Sequence, residues 1–69
     1  MTARQLAEVC GEITMKLMMG GVPQELAMLG VKVKLMESMQ SHADMEDKEA
    51  RRDVVATELK EEFAFCLQG

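Results

Sequence analysis

From Val22 to Met39 the chain carries two lines of apolar residues instead of one, and this limits what a 69-residue protein can fold into. Val22, Leu26, Leu29, Val33 and Met36 alternate steps of four and three residues, and Met28, Val31, Leu35 and Met39 form a second line at similar spacing. At about 100° per residue the two lines lie roughly 135° apart on a helix. A helix with two apolar sides needs cover on both. One side can pack on a neighbouring helix of the same chain, and the other requires a further helix or a second copy.

The length allows one domain. A domain of about this size buries only about 60% of its unfolded surface, so an isolated core is marginal and association is a common remedy. Hydrophobic residues make up 48% of the chain, too many for a disordered tail. With two Phe and no Trp or Tyr, the apolar mass is Leu, Val and Met. Methionine adapts to irregular contacts, which suits an association surface.

Helix signals dominate the pattern. Thr2 followed by Gln5 is a capping box, and Leu6, Val9, Cys10, Ile13 and Leu17 then follow one helical face. Gly20-Gly21 supplies a C-terminal stop and Pro23 fits the first position of a second helix. The spacing predicts helices over residues 2–19 and 23–40 joined by a turn at 20–22. Residues 30–35 alternate apolar and polar like a strand, but no second stretch would pair with it.

Helix propensity weakens over residues 38–44, a break is expected at 41–46, and Ser41 or Asp44 offers a cap for a third helix over 47–67. That helix places Val55, Leu59, Phe63 and Cys66 on one face, with Ala56 and Leu67 beside them. No Gly or Pro forces the break, so a helical hairpin with one long second arm is the alternative. Either way the expectation is an all-α fold that completes a helical bundle as a homodimer.

The formal net charge of −4 arises wholly from residues 41–69, which hold eight acids and four bases. Such a chain lacks the positive field that draws proteins to phosphate backbones. One nucleic-acid signal stands against this. Around residues 4–18, Ala7, Gly11 and Leu17 approach the spacing of a helix-turn-helix, with Thr14 and Lys16 on its recognition helix. Yet Val9, Cys10, Ile13 and Leu17 keep one helical phase straight through Gly11.

The chemistry-bearing residues are sparse. His42 is the only histidine and reads as a solvated residue in a weak helix or turn. Cys10, His42 and Cys66 are too scattered for zinc, which takes ligands in paired spacing. Both cysteines sit on core-facing lines and are expected to be free and inert. The acidic run at 44–49 lacks the glycine of an EF-hand loop, and Gly20-Gly21 lacks the Gly-Lys-Ser/Thr ending of a phosphate loop. Neither a metal nor a cofactor is expected, nor an enzyme.

No apolar run approaches the roughly 20 residues of a membrane span, and the first ten residues lack a secretory core. The cytoplasm is the expected setting. Met18, Met28, Met36 and Met45 read as core filler. Met15 and Met19 lie opposite the Leu6 and Ile13 face, where they would form a soft partner-binding patch. The expected function is a small non-enzymatic adaptor or regulator. Its self-association seam would be Val22, Leu26, Leu29, Val33 and Met36. The alternative is a DNA-binding regulator using residues 4–18.

Overall fold

The computed structural model describes residues 1–68. It contains α1 (Ala3–Met19), α2 (Gln24–Ser41), α3 (Lys48–Glu62) and a single turn, α4 (Ala64–Leu67). No strand occurs among the described residues, so the all-α expectation holds and the alternating stretch at 30–35 is helical. Of the two all-α arrangements the chain adopts the three-helix one. A non-helical link, residues 42–47, separates α2 from α3, and α1, α2 and α3 all touch one another.

Each helix starts and stops for a local reason. The Thr2 hydroxyl accepts from the Gln5 N–H at 3.1 Å while the Gln5 side chain accepts from the Thr2 N–H at 2.8 Å, closing the capping box. α1 then runs unbroken through Gly11, so the turn that a helix-turn-helix needs there is absent. At its end Gly21 takes φ +100°. The Val22 N–H reaches the Leu17 carbonyl and the Gly21 N–H reaches the Met18 carbonyl, both at 3.0 Å. These are the two bonds of a Schellman stop.

Three boundaries differ from the sequence expectation. Pro23 is the N-cap of α2, with ψ 145°, rather than its first helical residue. Asp47, and neither Ser41 nor Asp44, caps α3; its carboxylate accepts from the N–H groups of Glu49 and Ala50. The last helix stops at Glu62, and after Phe63 the chain makes only one further turn.

The core gathers Leu6, Ile13 and Leu17 from α1, Ala27 and Val31 from α2, and Val55, Ala56 and Leu59 from α3. Val9, Cys10, Val22, Leu35, Phe63, Cys66 and Leu67 pack around its edge. The faces of α1 and α3 follow the apolar spacing closely. α2 does not: it turns Ala27, Val31 and Ser38 inward. This line, which shares Val31 with the second apolar line and lies nearly opposite the first, carries small side chains at Ala27 and Ser38 that let α1 and α3 approach closely. Met28 and Met39 of the second line stay exposed. The methionine assignment is corrected as well. Met18, Met28 and Met36 are exposed, not core filler, and Met45 is half-buried in the link.

Leu59 is wholly buried, so Leu59→Ala should cost about 3 kcal/mol in chemical denaturation. Gly11 has open space where a Cβ would go, and Gly11→Ala should stabilise by about 0.5–1 kcal/mol. A loss at Gly11 would contradict the continuous α1.

Candidate functional site

Three features stand outside the core: the outer face of α2, a groove at the α1–α2 turn, and a polar cluster joining α2 to α3. The first follows from the inward choice of Ala27, Val31 and Ser38. With 100° per residue, Leu26, Leu29, Val33 and Met36 point almost directly away from the core. They are 46–59% exposed. Four of the five seam residues therefore share one solvent-facing stripe, while Val22 turns partly into the core edge. Glu62 and Phe63 of the α3 end border this stripe on the side of Gly30, Lys34 and Glu37.

At the other end of α2 lies an open groove lined by Lys16, Leu17, Met19, Gly20, Val22, Phe65 and Cys66. Met19 is 77% exposed and Phe65 72%. Met15, 65% exposed, lies one helical turn before Met19 but does not line the groove. The expected pair of methionines is thus exposed, and Phe65 joins Met19 through α4. The helical phase of residues 47–67 gives no hint of this, because the break at Phe63 resets the direction of Phe65.

The polar cluster is the least legible in sequence. Ser38 is 2% exposed, yet its hydroxyl donates to Glu58 Oε1 at 2.5 Å. His42, four residues on and capping the end of α2, meets Glu58 Oε2 at 2.6 Å. The expectation that His42 is merely solvated is therefore corrected: it is half-buried and bonded to a carboxylate. Ser38 and Glu58 lie twenty positions apart, and only the packing of α3 on α2 joins them.

The cluster acts as a clamp between α2 and α3. Ser38 and His42 both bond to the Glu58 carboxylate instead of to each other, so the arrangement ties α2 to α3 and contains no Ser–His pair. The Ser38 hydrogen bond, then the His42 one, holds the Glu58 carboxyl below its usual range, and partial burial opposes them. Depression of this kind stabilises the fold above the ordinary carboxylate range and is lost as pH falls through the depressed value.

Elsewhere, burial pushes the Cys10 thiol up, which disfavours the reactive thiolate. Cys10 and Cys66 are both free, and the Cys66 thiol donates to the Phe63 carbonyl at 3.1 Å. Among the described residues no group of His, Cys, Asp and Glu could hold a metal ion, and no helix is long and apolar enough to cross a membrane.

Glu58→Gln should be less stable than the native chain at pH 7. The difference should begin to shrink as pH falls below the ordinary carboxylate value of about 4.3, and it disappears only below the depressed native value, where the native carboxyl is protonated too. Urea midpoints at pH 7 and at about pH 3 measure this, and a pH-independent gap would remove the charged clamp.

Comparison with protein-family models, curated proteins and solved structures finds no match.

Proposed function

We propose that this protein is a small non-enzymatic adaptor or regulator that works as a homodimer, joined through the outer face of α2. One observation carries the reading: Leu26, Leu29, Val33 and Met36 form an apolar stripe on the central helix, turned away from the core and 46–59% exposed. A contiguous stripe of this kind marks an interaction surface more often than chance exposure. α2 has 18 residues, about 27 Å of helix at 1.5 Å per residue. A two-fold interface of ordinary size takes about 800 Å² from each copy. The monomer exposes 4813 Å², so the interface would use about one sixth of its surface.

The protein partner is then met at the free end, where Met15, Met19 and Phe65 remain uncovered. Nothing in this reading needs a cofactor, a metal or a membrane. A cytoplasmic setting suits two unpaired thiols. The DNA-binding alternative loses its footing with the continuous α1, and the acidic chain offers little attraction to phosphate.

Sedimentation equilibrium tests the dimer directly. The native chain should give twice its 7.7 kDa mass, with or without reductant. Val33→Glu, at an exposed position, should give the monomer mass with unchanged helical circular dichroism. A native chain that stays monomeric at high concentration would overturn the reading.

A further inference from the structure

We infer that two copies pair their α2 helices in parallel, each Lys32 opposite Glu37 of the second copy. This rests on the self-association reading above and adds its direction. The exposed stripe is a heptad seam, with Leu26 and Val33 at a, Leu29 and Met36 at d, and Gln40 at the next a. Lys32 then stands at g, one residue before Val33, and Glu37 at e, one residue after Met36. In a parallel pair the g residue of one helix lies beside the e residue five positions further on in the other. That places Lys32 of each copy beside Glu37 of the other, twice by symmetry. Both side chains are exposed, and neither is in an ion pair among the described residues. The preceding g residue, Glu25, falls beside Gly30, which has no side chain and has open space around it.

The antiparallel alternative fails on the same residues. Centred on the stripe, its midpoint lies at residue 31, so Lys32 comes nearly opposite its own copy and two like charges meet. The same register sets the Gln40 amide against Val22. The parallel pair instead sets it against another Gln40, where two amides can bond to each other; a polar residue at an a position selects direction in this way.

Two single-cysteine chains, in a Cys10→Ser/Cys66→Ser background, separate the cases. With a short bis-maleimide, Gln40→Cys should be captured as a covalent dimer and Lys32→Cys should not. In the antiparallel pair the cysteines at 40 would lie about 27 Å apart, at 1.5 Å per residue over eighteen residues. Those at 32 would be adjacent.

Capture through 32 and not 40, from a particle of doubled mass, overturns the direction and leaves self-association standing. Capture of neither, or of both, from such a particle overturns the heptad register. A native chain that is monomeric overturns the underlying reading as well.

Should the serine background not fold, charge exchange in the native-cysteine chain serves the same end. Lys32→Glu should weaken dimerisation about tenfold, and Lys32→Glu/Glu37→Lys should restore it. An unchanged dimer in Lys32→Glu overturns the pairing.

Discussion

α2 is apolar on more sides than a three-helix chain can cover, and the architecture answers to that imbalance. α1 and α3 each present one apolar face and can enclose only one side of the helix between them. The side they enclose is its narrowest, Ala27, Val31 and Ser38, where small side chains bring the three axes together. The bulkier Leu26, Leu29, Val33 and Met36 are left outside. Hydrophobic burial alone would favour the reverse, since a leucine contributes more than an alanine. Close approach of two neighbours to a single helix requires small residues at the point of contact, and in this chain that requirement prevails.

The polar cluster fits the same logic. A buried serine in a core this small would be costly without a partner. Ser38 has one in Glu58, and His42 bonds to the remaining carboxylate oxygen. Both bonds form together only when α2 and α3 are in register. Apolar contacts between α2 and α3 tolerate sliding, whereas this clamp does not. It sets the height of α3 on α2 and, with Asp47 capping the start of α3, gives the uncapped link a defined exit.

Much of the fold was legible from local chemistry. The Thr2 and Gln5 box, the Gly20-Gly21 stop and the faces of Leu6, Ile13 and Leu17 and of Val55 and Leu59 all act within a few residues, so spacing reveals them. The inward line of α2 was hidden because periodicity weighs large apolar residues, and Ala27 and Ser38 carry no such weight. The methionines misled for a related reason: their hydrophobicity counts toward a core, but their flexibility lets them remain at its edge. Phe65 and the Ser38–Glu58–His42 cluster depend on a helix break and on distant packing, neither of which any short window contains. Of the candidate surface, the stripe from Leu26 to Met36 could be read in advance as one apolar line. Which way it faced could not.

The groove lined by Met19, Val22 and Phe65 sits where α1 turns into α2. Copies aligned in parallel would carry both such grooves at one end of the particle, side by side. A partner offering two matching apolar segments could then engage both at once, the second contact forming at the effective concentration set by the first. Each groove is open to solvent and small, with Met19 and Phe65 as its exposed apolar side chains, so its grip alone would be weak. Avidity would make the response steep in protein concentration, because a solitary chain offers one groove and the assembled pair offers two in fixed relation.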